Sequence, residues 1–163
     1  MNASALLFRR MVLSDIDRVM EIEPLCFTAP WSREAYYAEL TQNHFARYMV
    51  AELAGEVIGY GGMWVIIDEA HVTNIAIHPD YQGRNYGERL MLTMIAQALS
   101  HGVRHMTLEV RVSNRTAQKL YEKMGFARQS IRQGYYTDNN EDAIVMWAEL
   151  PAVVVSQEME QGS

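Results

Sequence analysis

The sequence predicts an α+β domain built on a mixed, mostly antiparallel twisted sheet, and three observations carry that reading. Several short strand-like runs are separated by turns, with only a few helical stripes among them. One run, Met106–Val112, alternates cleanly: Met106, Leu108 and Val110 share one face, Thr107, Glu109 and Arg111 the other. Between the β-branched run Ala70–Ile77 and that strand lies Gly87–Ser100, where Leu90, Met91, Met94, Ile95, Ala98 and Leu99 form a helical stripe. A strand-helix-strand crossover therefore sits among hairpins.

The elements follow in order. Leu6–Val12 is compatible with a first strand, and Ser14 or Asp15 can cap a helix that carries Ile16, Val19 and Met20 on one face. Pro30-Trp31-Ser32 punctuates the chain, and Ser32 can cap a second helix to about Leu40. Arg47–Leu53 and Val57–Trp64 read as a hairpin across Ala54-Gly55-Glu56. After the crossover helix, which Gly102 can end, a further helix spans Arg115–Met124 up to Gly125. Ala127–Tyr135 and Asp142–Glu149 flank the polar turn Thr137–Glu141. The count is about seven strands flanked by about four helices. Residues 1–150 read as one domain and 151–163 as a flexible polar tail.

Bulk properties exclude several classes. With 163 residues, 49% of them hydrophobic, one core suffices. The apolar residues fall in short runs such as Met63–Ile67, far short of the roughly 18 residues a membrane span needs, so no membrane partner is expected. A net charge of −6 and a pI near 5.3 have the wrong sign for phosphate-driven nucleic-acid binding and suit a cationic substrate better. Cys26 is the only cysteine, which rules out an intrachain disulfide or a multi-thiolate metal site and suits the reducing cytoplasm. No metal is expected, and the five histidines read as scattered surface residues.

The most informative stretch runs from Ile75-Ala76-Ile77 through His78-Pro79-Asp80-Tyr81 to Gln82-Gly83-Arg84-Asn85-Tyr86-Gly87. A strand, a glycine-rich loop and a helix start gather unpaired backbone N–H groups where the helix dipole favours an anion. A pyrophosphate suits that place. Arg84 adds a positive charge, and Gly83 and Gly87 permit close approach. Neither a Walker-type loop nor a Gly-x-Gly-x-x-Gly dinucleotide fingerprint is present.

This loop resembles that of the GCN5-related N-acetyltransferases (GNAT), whose acetyl-CoA loop reads Gln/Arg-x-x-Gly-x-Gly/Ala. Asn85 stands where the family has its first glycine. The closer likeness is to the ribosomal-protein-alanine N-acetyltransferase (RimI-like) family. It rests on Phe27-Thr28-Ala29-Pro30-Trp31-Ser32, Asn74-Ile75-Ala76-Ile77, Leu108-Glu109-Val110-Arg111, Ser113-Asn114, Leu120-Tyr121-Glu122-Lys123-Met124-Gly125-Phe126, Tyr135-Tyr136 and Glu141-Asp142-Ala143. Ala29 is an insertion relative to that pattern.

The resemblance implies the GNAT fold and acetyl-CoA as co-substrate, held by Ile75, Ala76, Ile77, Gln82, Gly83, Arg84, Asn85, Tyr86, Gly87 and Asn114. Transfer from a thioester to an amine has two proton problems, at the ammonium and at the departing sulfur. By family likeness Glu109 is the general base and Tyr121 the acid. Trp31, Tyr135, Tyr136 and Glu141 are implied at the acceptor site. That acceptor would be the N-terminal alanine of a small-subunit ribosomal protein of bS18 type. A lysine or polyamine acceptor, or a non-catalytic CoA-binding module, stays open at this point. Cys26 reads as a small buried residue, far in sequence from the cofactor loop.

Overall fold

The computed structural model describes residues 5–150, and the polar tail expected at 151–163 lies outside them. Strands β1 (Leu6–Arg10), β2 (Ala46–Leu53), β3 (Glu56–Ile66), β4 (Glu69–Ile77), β5 (His105–Arg111), β6 (Ala127–Tyr136) and β7 (Glu141–Glu149) hydrogen-bond in the order β1-β2-β3-β4-β5-β7-β6. Four helices accompany them among the described residues: α1 (Ile16–Cys26), α2 (Arg33–Thr41), α3 (Tyr86–Ser100) and α4 (Arg115–Lys123). No helix among them is long and apolar enough to cross a membrane. Pairing of β1 with β2, β2 with β3, β5 with β7 and β6 with β7 is antiparallel, whereas β4 and β5 are parallel and α3 connects them.

Two expected boundaries shift for local reasons. The β2–β3 turn is the dipeptide Ala54-Gly55, at φ 52° and 81°, so Glu56 already pairs with Leu53 in the ladder. That handedness fits the strand twist. Asp15 caps no N–H of α1; its carboxylate accepts from the Val12 N–H at 2.8 Å and pairs with Arg9 at 2.8 Å. Ser32 does cap α2, accepting from the Ala35 N–H at 3.1 Å.

The described residues form two compact units, interleaved in sequence. One comprises the described residues up to Trp64 together with Thr73–Met94. Its core gathers Met11, Ile16, Val19, Ile22, Val50, Val57 and Ala76 around three buried tyrosines, Tyr36, Tyr48 and Tyr60. Glu23, only 1% exposed, organises the tyrosines. Its Oε1 accepts from the hydroxyls of Tyr36 and Tyr60, and its Oε2 from the Trp31 N–H at 2.8 Å. The Tyr36 oxygen in turn accepts from Asn74 Nδ2 at 2.6 Å. Burial pushes the Tyr36 and Tyr60 hydroxyls well above the usual phenol range, and both stay proton donors. At a second hub, Glu39 Oε1 accepts from Tyr48 and from Trp64 Nε1, each at 2.7 Å. A Cβ at Gly62 would collide with the Tyr48 ring, which explains the glycine in that strand.

The second unit comprises Val65–Val72 and the described residues from Ile95 onward. Here Met106, Leu108 and Val110 of β5 are buried, as the alternation requires, with Ile144, Met146 and Ala148 of β7 and Met124 and Phe126 after α4. Gly125, at φ 101°, ends α4. In β6 the register slips between Arg132 and Tyr136, where Gly134 adopts φ 61° and donates its N–H to Asp142 Oδ1 at 2.8 Å.

The Glu23 hub yields a stability prediction. Glu23→Ala leaves two hydroxyls and one N–H without their acceptor. Urea unfolding should show a loss on the order of 3 kcal/mol or more, since each buried polar group left unsatisfied costs about 1–3 kcal/mol. A loss under about 0.5 kcal/mol, within the range of ordinary surface substitutions, would show that the hub is not structural.

Candidate active site

In the first unit, β4 runs into a short 3-10 turn, Pro79–Tyr81, then the loop and α3. Gly83 and Asn85 both lie in the left-handed region, at φ 79° and 65°. Asn85 thus adopts a backbone that favours glycine, and asparagine is among the side chains that tolerate it best. The first α3 bond runs from the Arg89 N–H to the Asn85 carbonyl at 3.1 Å, so the N–H groups of Tyr86 and Gly87 precede the helical ladder. Gln82, Gly83, Arg84 and Asn85 are exposed, and the Arg84 guanidinium lies 5.7 Å from the Tyr81 ring centroid.

Space above this loop is open. A Cβ at Gly83 would meet nothing within 4 Å, and one at Gly87 would meet only Ile77 Cγ1 at 3.8 Å, an ordinary contact. The protein itself does not require glycine at position 87. A phosphate resting on the helix start would. Gln82 pins the loop to the strand: its Nε2 donates to the Ile77 carbonyl at 2.9 Å. Cys26 Sγ donates to the same carbonyl at 3.3 Å, so the cysteine that is far in sequence from the loop is its neighbour in space. Burial, then the nearby Glu23, pushes the Cys26 thiol up, away from thiolate chemistry. Ala76 is buried in the core, and Ile75 is half-buried on β4. Trp31 packs its ring 5.3 Å from Tyr36, and Glu23 holds its backbone.

In the second unit the parallel ladder pairs Glu69, Ala70 and His71 with His105, Met106 and Thr107. His71 Nε2 lies 2.7 Å from Glu109 Oε1. Far from being a solvated strand-face carboxylate, Glu109 is only 10% exposed, whereas His71 is 35% exposed. Tyr135 donates weakly to the same oxygen at 3.5 Å, and Arg132 lies 3.9 Å from Oε2. Tyr121 is buried on α4, 6.0 Å from the Phe126 ring. Burial alone pushes its hydroxyl up to about 12. Asn114 caps α4, its Oδ1 accepting from the Ala117 N–H at 3.1 Å.

Tyr136 and Glu141 are engaged structurally. The Arg111 guanidinium sits 4.0 Å from the Tyr136 ring centroid and donates to Glu141 at 3.1 Å, and the Ser113 N–H donates to Glu141 at 2.8 Å. Hydrogen bonds from Ser113, with help from Arg111 and Asn139, hold the Glu141 carboxyl down to about 2. Tyr135 is exposed and meets Tyr136 edge-on at 5.0 Å. Sequence reasoning missed His71, because its link to Glu109 depends on pairing two strands 38 residues apart.

The family model for the acetyltransferase (GNAT) family matches residues 16–126. The chain belongs to this family. Relatives of this GNAT chain include a Bacillus subtilis (strain 168) protein provisionally named a [ribosomal protein bS18]-alanine N-acetyltransferase, 48% identical over 139 residues, which are 85% of this chain and 92% of the relative. The [ribosomal protein bS18]-alanine N-acetyltransferase of Escherichia coli (strain K12) is 36% identical over 137 residues, 82% of this chain and 90% of the relative. Among solved structures, the ribosomal-protein-S18-alanine N-acetyltransferase from Escherichia coli matches with a TM-score of 0.83 at 32% identity, covering 90% of this chain and 94% of that one. The fold expected from the loop and strand motifs is thus the fold observed, and the chain is an N-acetyltransferase.

Gly87 offers a test that separates folding from ligand binding. Thermal unfolding of Gly87→Ala should show stability unchanged or raised by up to about 1 kcal/mol, as for alanine replacing glycine in a helix. Calorimetric titration should show acetyl-CoA, the family's acyl donor, bound at least tenfold more weakly. Unchanged affinity would remove the helix start from the ligand's path.

Proposed function

We propose that this chain transfers the acetyl group of acetyl-CoA directly to the α-amino group of an N-terminal alanine, on a small-subunit ribosomal protein of bS18 type. The observation that carries the chemistry is Glu109: a nearly buried carboxylate in mid-strand, paired with an imidazole. The names of the relatives supply the acceptor. Residues 1–150 are taken as the catalytic domain and the cytoplasm as its place, where Cys26 stays reduced.

Acetyl-CoA would rest its pyrophosphate on Gln82–Gly87 and lay its arm along β4 at Ile75–Ile77, with Asn114 as a further contact. The open ground at Gly83 and Gly87 supports this fit. The Ile77 carbonyl already accepts two donors, so the arm is read as pairing with other backbone groups of β4. When bound, the thioester supplies an activated acyl carbon.

Glu109 takes a proton from the acceptor ammonium, an α-amino group that titrates near ~7.7–8.0. Tyr121 donates a hydrogen bond to the departing sulfur. A phenol held near 12 gives its proton to a thiolate, whose thiol titrates at about 8.5, only uphill. Hydrogen bonding therefore describes its role better than complete transfer. Tyr135 and Trp31 are read as acceptor contacts, and Tyr136 and Glu141 as their support. A half-buried, proton-holding Cys26 favours direct transfer over an acetyl-cysteine intermediate.

Mass spectrometry of peptides incubated with the chain and acetyl-CoA tests the acceptor. A peptide beginning with alanine should gain one acetyl group at its N-terminus. Acetylation of internal lysine alone, or of polyamines alone, would overturn the N-terminal reading, and no turnover at all would favour a CoA-binding module. In addition, Glu109→Gln should lower turnover about 10²–10⁴-fold near neutral pH, the usual span of a general base. The deficit should shrink above about pH 9, where the amine is already neutral. An equal deficit at both pH values would take the base role from Glu109.

A further inference from the structure

We infer that His71 is the proton outlet of Glu109: the imidazole receives the proton that the carboxylate takes from the acceptor amine and passes it to solvent. This rests on the reading of Glu109 as the base. The need for an outlet follows from the balance of the reaction. An ammonium nitrogen carries three protons and the product amide nitrogen one. The N–C bond forms, the C–S bond breaks, one proton ends on sulfur, and one leaves the site in every turnover. A carboxylate that is 10% exposed must be relieved of that proton before it can act again.

The groups around Glu109 leave one candidate among the described residues. Arg132, 3.9 Å from Oε2, is a permanent cation with no lone pair to offer. Tyr135, 3.5 Å from Oε1, is a donor whose hydroxyl burial and Glu109 itself push up, so it keeps its own proton. The β7 residue paired with Glu109 is Val145, which is apolar. His71, on β4, is the group with both a proton-accepting nitrogen and contact, at 2.7 Å through Nε2. Its greater exposure, 35%, puts it on the solvent side of the pair. While Glu109 is ionised it accepts from the Nε2–H of His71; once the carboxyl holds the amine's proton, the ring exchanges with solvent to its Nδ1–H tautomer, which frees the Nε2 lone pair. The Glu109 O–H bond then breaks and an Nε2–H bond forms, giving an imidazolium that loses its Nδ1 proton to water and so returns to the Nε2–H tautomer. His71 is a positioning residue in this scheme, because it acts through Glu109.

The decisive comparison is His71→Gln, which keeps a side-chain N–H for Glu109 but cannot accept a proton, alongside His71→Ala and Glu109→Gln. With an alanine-start peptide at saturating acetyl-CoA, His71→Gln should lose about tenfold in kcat, at the modest end of proton-transfer effects, with little change in peptide KM. His71→Ala should lose as much, and imidazole added to the buffer should restore it dose-dependently. Wild-type kcat in His71→Gln, or no rescue of His71→Ala, overturns the relay. If that happens while Glu109→Gln is still impaired, the base reading survives alone. Should Glu109→Gln turn over like the wild type, the base reading falls and takes the relay with it. Nitrogen NMR of the imidazoles in the free protein gives a readout independent of turnover. The Nε2 signal of His71 should move on Glu109→Gln, and a stationary signal would overturn the contact on which the outlet depends.

Discussion

The short parallel ladder between β4 and β5 is the constraint on which the contact between His71 and Glu109 depends. It pairs Glu69–His71 with His105–Thr107, while β4 continues to Ile77 and β5 to Arg111. Parallel neighbours cannot be joined by a tight turn, so α3 has to intervene, and the loop that starts α3 inherits the end of β4. The same ladder sets His71 within reach of Glu109. Within the second unit, that pairing gives the Glu109 carboxylate its partner.

Two glutamates show how differently one residue type can be surrounded. Glu23 is sealed: three donors from Tyr36, Tyr60 and Trp31 occupy its oxygens, and almost none of it meets solvent. Such a carboxylate fixes α1, β3 and the Trp31 segment relative to one another. Glu109 also has three neighbours, but two of them stand at 3.5 Å or beyond, and the third, His71, itself meets water. Filled acceptors hold structure, whereas an under-filled one keeps room for a further donor.

Much of this was legible in the sequence because it is written in short-range pattern. The α3 stripe, the alternation along β5, the Ser32 cap and the glycines that end helices are signals spanning a few residues, and the structure carries each of them. The loop from Gln82 to Gly87 was recognisable for the same reason. What escaped was long-range. Glu23 reads as an ordinary helix-surface residue until Tyr36 and Tyr60 arrive from other elements, and Cys26 looks remote from the loop until α1 folds back onto Ile77. Asp15 looked like a cap because its type fits one, but Arg9 from the adjacent strand claims its carboxylate. Periodicity reports which face is apolar, not which polar groups will meet.

Asparagine at position 85 has a consequence for the unfolded chain as well as for the loop. A glycine there would reach φ 65° without strain, yet it would also roam more widely before folding and lose more freedom on being fixed. Asn85 exchanges a little native-state strain for a narrower denatured ensemble. The turn above the helix start is thereby shaped during folding, and less of its ordering is left to the moment when a ligand arrives.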